Sequence, residues 1–458
     1  MKYFKLGCNW GSGKPDFYNL LVKYSIVICA GHDMNPDDIV AIAQGHTVVA
    51  LACIKSIKIP VTERIELEKE FNDYQIDYEE WNFIADAIIW ELKPSERFKY
   101  QLQQGICQIK DAVVKKEIDL RISSIKRNMK IESLKNLLLA NYNLILTGAP
   151  GTGKTYLAKQ LAAQITLGKE YDEKNASYEE EQIMDNQYDF VQFHPSFDYT
   201  DFVEGLRPID DEKGNVSFHR EDGIFMKFCR KALDAYNKVE NKEEAPKYVF
   251  VIDEINRGDL SKIFGELFFS IDPGYRGEKG KVKTQYSNLW KTEKYGDSDS
   301  FYIPQNVYII GTMNDIDRSV EGMDFAMRRR FAFKEVRAEN NVEMLKTNEK
   351  LLPHFDKIEA RMTNLNLAIL TIQGLSTAYQ IGAAYFLKLK NYLACDGELE
   401  KCSWESLWYN HLYGLLFEYL RGLPNAEEDL NTLYRAYTLK DKYGMENKKA
   451  IKIPPHDA

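Results

Sequence analysis

A glycine-rich run that could hold phosphate groups is the most informative feature of this 458-residue chain. Its glycines let the backbone fold tightly and aim consecutive N–H groups at phosphate oxygens, and the helix-like stretch that follows favours the same anion. Lys154 would reach the β- and γ-phosphates, and the Thr155 hydroxyl would ligate Mg²⁺. The predicted nucleoside triphosphate contacts are Gly148, Ala149, Pro150, Gly151, Thr152, Gly153, Lys154, Thr155 and Tyr156.

Two carboxylates, Asp253 and Glu254, end a later apolar segment, Tyr248–Ile252. In enzymes with a phosphate-binding loop, an Asp at such a strand end holds Mg²⁺ through its water shell, and the next Glu activates the attacking water. We therefore expect Asp253 to lie on the metal side of the site together with Thr155. Glu254 is the candidate general base.

A further apolar segment, Val307–Gly311, leads to Asn314 and Asp317. Because the carboxyl ends of parallel strands meet at one edge of a sheet, Asn314 is predicted to lie between the glycine-rich run and Asp253. There it could orient water or a γ-phosphate oxygen. For both Asn314 and Asp317, turn chemistry or a helix N-cap is the alternative interpretation.

Three arginines, Arg328, Arg329 and Arg330, close a short helix-like segment. They could complement the helix dipole. They could also stabilise charge on a triphosphate held by a neighbouring subunit, an effect worth about 10³–10⁵ in rate. The forked, permanently charged guanidinium suits that role, and the residues alone leave both interpretations open.

The elements that must position these residues predict an α/β fold. Strands alternate with helices between residues 141 and 337, which indicates a parallel sheet with crossover connections. We expect strands at 144–147, 190–193, 248–252, 307–311 and 331–336, and a hairpin and loop within 272–305. The predicted organisation is a β-rich domain over 1–110, a helical linker over 111–140, the α/β domain over 141–337 and a helical region over 338–458.

The composition limits the partners and the cellular location that the chain can have. The net charge of −9 argues against a uniformly basic nucleic-acid coat. Seven cysteines without a C-x-x-C pair are typical of a reduced protein without a zinc knuckle or disulfide framework. The sequence shows neither a signal-peptide core nor a bilayer-spanning run, so it predicts a cytoplasmic protein without a membrane partner.

Taken together, the motifs resemble the AAA+ domain of the McrB family over about residues 134–419. The glycine-rich run is then its P-loop, and the later helical region its lid. In the lid motif the family commonly has Gly-His-Ser-Tyr-Phe, whereas this chain has Gly382–Phe386 with two alanines, so no lid residue is expected to be catalytic. The other matching segments are 193–196, 199–208, 253–257, 264–267, 311–319 and 328–331.

The resemblance implies a homo-oligomeric ring, expected to be hexameric, with nucleotide at each subunit interface. It implies GTP as substrate and Mg²⁺ as cofactor. Asn314 and Asp317 match the family's Met-Asn-x-x-Asp motif, and Arg329 and Arg330 match arginines that act in trans. Family members work with an McrC-like nuclease subunit, and we expect hydrolysis here to drive DNA translocation or remodelling, with cleavage performed by that partner.

The N-terminal segment Asn35–Ala52 is loosely similar to the strand–turn–strand of PUA-like barrels such as EVE and YTH domains. Such domains hold a flipped, modified base, so DNA is the expected partner. Aromatic residues including Trp81 and Trp90 could stack on that base, but packing in a core is the alternative. A protein-recognition module is equally compatible.

Two other functions are compatible with parts of the pattern. An ATP-dependent, MoxR-like AAA+ remodeller uses similar chemistry at its strand ends, but it lacks the Met-Asn-x-x-Asp-Arg-Ser arrangement found at 313–319. A nucleotide-gated binding scaffold would have no need of the water-activating Glu254.

Overall fold

The computed structural model describes residues 1–8, 15–77, 79–101, 105–210, 216–290, 295, 300–316, 325–346 and 348–439. The chain divides into two compact units between Lys130 and Ile131. No helix within the described ranges is both long enough and apolar enough to cross a membrane.

The first unit is built on an eight-stranded sheet. Its strands are β1 (Tyr3–Gly7), β2 (Ile26–Ile28), β3 (Ile39–Gln44), β4 (Thr47–Ile54), β5 (Ile59–Pro60), β6 (Phe83–Glu91), β7 (Phe98–Lys99) and β8 (Ile106–Gln108), with helices α1 (Tyr18–Tyr24) and α2 (Glu68–Asp73). The order is β2-β6-β4-β3-β1-β8, with β5 beside β6 and β7 beside β4. Only the described pair β1–β3 is parallel.

The N-terminal strands follow the sequence pattern closely. The run 47–54 forms β4, and Gly45, with a φ of +60°, makes the turn from β3. Residues 48–54 of β4 are all buried, as expected for a central strand with covered faces. Of the aromatic residues considered as base contacts, Trp81 lies in the core and Trp90 packs half-buried beside a second cluster, which favours the packing role.

A 30-residue helix, α3 (Ala112–Asn141), continues from the first unit into the second, as its spacing of apolar residues predicts. Ile118 and Ile122 belong to the core of the first unit. Ile131, Leu134 and Leu138 belong to the core of the second. The apolar stripe of the predicted linker is therefore buried toward each end of α3, whereas Met129 between the two ends is exposed.

The second unit contains the predicted parallel sheet, five strands in the order β10-β13-β14-β9-β15. The strands are β9 (Asn143–Gly148), β10 (Tyr188–Gln192), β13 (Tyr248–Asp253), β14 (Val307–Asn314) and β15 (Ala332–Glu335). All four pairings are parallel. The helices of this region are α4 (Lys154–Thr166), α5 (Tyr178–Gln187), α6 (Tyr199–Phe202), α7 (Ile224–Asn237), α8 (Leu260–Phe264), α9 (Leu267–Ser270) and α10 (Phe325–Arg328).

The second unit contains a two-stranded hairpin that the sequence analysis did not predict. Strands β11 (Glu204–Asp210) and β12 (Val216–Asp222) pair antiparallel between α6 and α7. Within the described part of 272–305, where the sequence predicts a hairpin and loop, Val282 and Phe301 form an antiparallel bridge. In the same region the Tyr295 and Phe301 rings pack in the core, tilted to each other with their centroids 4.6 Å apart.

The C-terminal part of the second unit is helical, as expected for a lid. It comprises α11 (Phe355–Ile369), α12 (Ala383–Phe386), α13 (Lys401–Leu407), α14 (Tyr413–Leu420) and α15 (Ala426–Thr438), preceded by 3-10 turns over Ala338–Leu345. These helices enclose a separate apolar core that includes Trp404, Trp408 and Tyr437. The α/β fold with a helical lid is thus confirmed, and the PUA-like assignment of the first unit stays a prediction.

Candidate functional site

The P-loop connects the end of β9 to the first turn of α4. Gly148 and Gly153 have φ values of +141° and +81°, in the region that favours glycine. At Gly148 a Cβ atom would lie 2.4 Å from the carbonyl oxygen of Val336, so a side chain is excluded there. Gly153 is the N-cap of α4, which directs the free N–H groups of the helix start toward the loop.

The Lys154 side chain is buried against the loop, with 7% of its surface exposed. Its Nζ donates to the carbonyl oxygens of Gly148 and Ala149, each at 2.9 Å, and to Asn314 Oδ1 at 2.8 Å. The ammonium group therefore already lies at the strand edge where phosphates are expected. There it donates hydrogen bonds to three protein oxygens.

Thr155 and Asp253 meet on one side of the loop, as the sequence predicted for the metal side. Thr155 Oγ1 donates to Asp253 Oδ1 at 2.8 Å. Thr312 Oγ1, from β14, donates to the same carboxylate oxygen at 2.6 Å. Hydroxyl and carboxylate oxygens are the ligands that Mg²⁺ prefers, so Thr155 and Asp253 fit this cation.

Glu254 is held in an unusual backbone conformation. Its φ of 51° and ψ of 46° are left-handed, a region that non-glycine residues occupy rarely and that is enriched at active sites. Its N–H donates to Thr312 Oγ1 at 3.2 Å, and its Oε1 accepts from Asn314 Nδ2 at 2.5 Å. Arg257 Nε lies 3.5 Å from the other carboxylate oxygen.

Asn314 connects the two halves of the site. Strand β14 lies between β13 and β9, and Asn314 stands in register with Gly148. Its amide accepts from Lys154 and donates to Glu254, so one side chain bridges the phosphate-binding cation and the candidate base. The predicted Asp317 lies outside the described residues.

Thr312 is a site residue that sequence reasoning missed. It contacts both Asp253 and the backbone of Glu254, and it is almost fully buried. Its position two residues before Asn314 was the available signal. On a strand, residues two apart face the same side of the sheet, so a polar residue there should face the same neighbour.

The lid covers the P-loop through backbone contacts that the sequence did not reveal. The N–H of Gly382 donates to the carbonyl oxygen of Pro150 at 3.1 Å, and that of Ala384 donates to Gly151 at 3.0 Å. Asn341 Nδ2 donates to the carbonyl oxygen of Thr152 at 2.5 Å. Because the Gly382 and Ala384 contacts use main-chain atoms of the lid motif, replacing the usual His-Ser pair with alanines leaves them possible.

The structure separates the two arginines that the resemblance implied to act in trans. Arg329 is exposed at the surface. Arg330 is only 8% exposed, with its guanidinium 4.5 Å from the centre of the Phe268 ring and its Nε 3.8 Å from Asp272. Arg330 is therefore part of the core of its own chain.

Comparisons with known proteins agree with this site. Residues 143–331 match the family described as "AAA domain (dynein-related subfamily)". The chain is 36% identical over 289 residues to the "Type IV methyl-directed restriction enzyme EcoKMcrB subunit" of Escherichia coli (strain K12), covering 62% of this chain and 53% of that protein. It is 25% identical over 248 residues to the "Type II restriction enzyme BsuMI component YdiS" of Bacillus subtilis (strain 168), covering 50% of this chain and 66% of that protein.

The chain thus spans about half the length of the first of these relatives and just under two thirds of the second. The match to the AAA domain begins with β9 and ends one residue after Arg330, so it contains all the described P-loop and strand-end residues. Residues 143–331 thus match an AAA domain, and over 289 residues the chain is similar to the McrB subunit of a restriction enzyme.

Proposed function

We propose that this chain is the GTP-hydrolysing motor subunit of an McrBC-like restriction complex. The observation that carries the proposal is the chain of hydrogen bonds from Lys154 through Asn314 to Glu254, at the strand edge that also holds Asp253 and Thr155. A phosphate-binding cation and a carboxylate base joined by one amide are the parts that triphosphate hydrolysis needs.

Phosphate binding is assigned to the P-loop and Lys154. The loop N–H groups and the start of α4 favour an anion, and Lys154 adds a full positive charge. A bound phosphate competes with the three protein oxygens that Lys154 contacts, including Asn314 Oδ1. We therefore expect binding to loosen the contact between Lys154 and Asn314.

Thr155 and Asp253 are the residues proposed to hold Mg²⁺. When bound, the cation would neutralise charge on the β- and γ-phosphates. Thr312 has a positioning role, because its hydroxyl fixes the Asp253 oxygen that Thr155 also contacts.

Glu254 is proposed to take a proton from the attacking water. Asn314 Nδ2 donates to Glu254 Oε1, so the orientation of the base depends on that amide. A change in the Lys154–Asn314 contact would therefore reach Glu254 through one side chain. In this way phosphate binding at Lys154 and water activation at Glu254 are coupled.

Arg329 is the arginine that we propose acts on a neighbouring subunit, within a hexameric ring. Its exposure supports that role, and Phe325, one turn earlier in α10, exposes 90% of its surface beside it. Arg330, by contrast, is proposed to support the segment that carries Arg329. Asp317 remains proposed as a second polar group near the γ-phosphate, on the resemblance alone.

The choice of GTP, the McrC-like nuclease partner and a cytoplasmic location are proposed from the family resemblance and from the relative named as an McrB subunit. That relative is named as methyl-directed, so we propose DNA with a modified base as the ligand of the first unit. An ATP-dependent remodeller of the MoxR kind is the competing proposal, and nucleotide preference separates the two.

Binding and turnover measured on two variants test the site assignments. Lys154→Ala should weaken GTP binding and abolish phosphate release. Glu254→Gln should bind GTP as the wild type does and lose turnover by about 10²–10⁴-fold, the usual worth of a general base. The matched control is Glu278→Gln, since Glu278 is an exposed glutamate remote from the site. Normal turnover by Glu254→Gln would contradict the base assignment.

A further inference from the structure

Asn143, the first residue of β9, lies at the opposite end of that strand from the P-loop and is fully buried. Its Nδ2 donates to the carbonyl oxygens of Ile271 and Arg330, both at 2.8 Å. Its Oδ1 accepts from Nη2 of Arg276, which is itself only 3% exposed. Both amide hydrogens and the amide oxygen of Asn143 are thus used. One of the three partners is the backbone of Arg328–Arg330, called here the arginine segment.

The arginine segment is fixed on both sides of Arg329. On its C-terminal side, Asn143 holds the carbonyl of Arg330, and the β15–β9 ladder starts with the pair Ala332–Leu144. On its N-terminal side, Arg330 Nη1 donates to the carbonyl oxygen of Ala326 and so ties the short helix α10 to the core. Arg328 and Arg329 are the exposed residues between these two anchors.

We infer that Asn143, Arg276 and Arg330 form a positioning network that aims Arg329 at the nucleotide of the neighbouring subunit. The inference rests on the proposed trans role of Arg329. None of the three residues needs to touch nucleotide, because they act through the backbone on either side of Arg329. The network is attached to the strand that ends in the P-loop, so each subunit's nucleotide-binding strand also holds the arginine it offers to its neighbour.

Donation in trans can be measured separately from a subunit's own hydrolysis. Glu254→Gln subunits cannot hydrolyse GTP but retain Arg329, and Arg329→Ala subunits retain Glu254 but lack the arginine. Mixed rings should therefore regain phosphate release at Arg329→Ala sites next to Glu254→Gln donors. Adding Asn143→Ala to the donor should reduce this rescue by about 10²-fold, the usual effect of a misplacement near 1 Å. GTP binding by that donor should remain unchanged.

A matched control separates positioning from general loss of packing. Asn306, immediately before β14, also donates its amide to two carbonyl oxygens, those of Ala232 at 2.9 Å and Pro246 at 2.8 Å. Asn306→Ala in the donor removes the same kind of contacts at the same edge of the sheet but leaves the arginine segment untouched. We expect that donor to rescue as well as Glu254→Gln alone.

The outcomes distinguish a failure of the positioning network from a failure of the proposed trans role of Arg329. Rescue by Glu254→Gln that persists with Asn143→Ala would overturn the positioning network alone. No rescue by Glu254→Gln would overturn the trans role of Arg329 and the network with it. If the Asn143→Ala donor fails to assemble, Arg276→Met takes its place. That change removes the donor to Asn143 Oδ1 at a similar side-chain length, and undiminished rescue with it would equally refute the network.

Discussion

Replacing Gly382 with alanine is expected to force the lid away from the P-loop. A Cβ atom at Gly382 would lie 2.1 Å from the carbonyl carbon of Gly151, 2.2 Å from its oxygen and 2.3 Å from the nitrogen of Thr152. All three are backbone atoms, which cannot rotate aside as a side chain can. Ordinary contact begins at 3.4 Å, so the two segments must separate by about 1.3 Å (3.4 minus 2.1).

The separation has costs for stability and for function. Overpacking of this kind costs about 1–3 kcal/mol. The bonds from Gly382 to Pro150 and from Ala384 to Gly151 would stretch, each worth about 1 kcal/mol. A shift near 1 Å beside a reacting group typically costs about 10²-fold in rate. We therefore expect a lower melting temperature and a loss in kcat/KM for GTP of about that size.

Steady-state phosphate release, GTP binding and thermal unfolding of Gly382→Ala together check this expectation. Gly414→Ala is the matched control, because Gly414 lies in lid helix α14 with no atom within 4 Å of its added Cβ. It should keep wild-type turnover and be as stable as the wild type or more so, by up to about 1 kcal/mol. Wild-type kcat/KM and melting temperature in Gly382→Ala would refute the lid contact as described.

Three further changes have expected outcomes. Asn314→Ser should lower kcat for GTP by about 10²-fold with a smaller change in Kd, and equal losses in both would argue against its link to the base. Glu204→Ala should lower the free energy of unfolding by about 1–3 kcal/mol for each buried donor left without an acceptor, because Trp290 Nε1 loses its acceptor and Arg220 keeps only Asp222, and an unchanged urea midpoint would contradict these contacts. In the same urea titration Arg330→Ala should be destabilised and Arg329→Ala should not, since only the former is buried.

The sequence predicted the parallel sheet well because its strands are short apolar runs. All five predicted strands of the second unit are present, and the run expected at 248–252 differs from β13 by one residue. Strand β14 extends three residues beyond the prediction, to Asn314, because Thr312 and Met313 pair with β9 although the apolar run has ended. A polar residue does not end a strand, because Thr312 is buried within β14 and the strand continues as far as its ladder with β9.

Contacts between segments far apart in the chain could not be predicted in the same way. Nothing local to Gly382 indicates that it touches Gly151, and nothing local to Arg330 indicates that its carbonyl bonds Asn143. Hairpin β11–β12 was missed because its strands are largely exposed and anchored by a buried ion pair between Glu204 and Arg220 rather than by an apolar face. Such features depend on tertiary packing, which residue spacing does not encode.

Phosphate release from GTP and ATP, measured side by side on the wild-type chain with and without an McrC-like partner, tests the central claim most directly. The proposed function predicts turnover of GTP in preference to ATP, stimulated by the partner and absent in Glu254→Gln. Preference for ATP, or the same rate with Glu254→Gln, would contradict it.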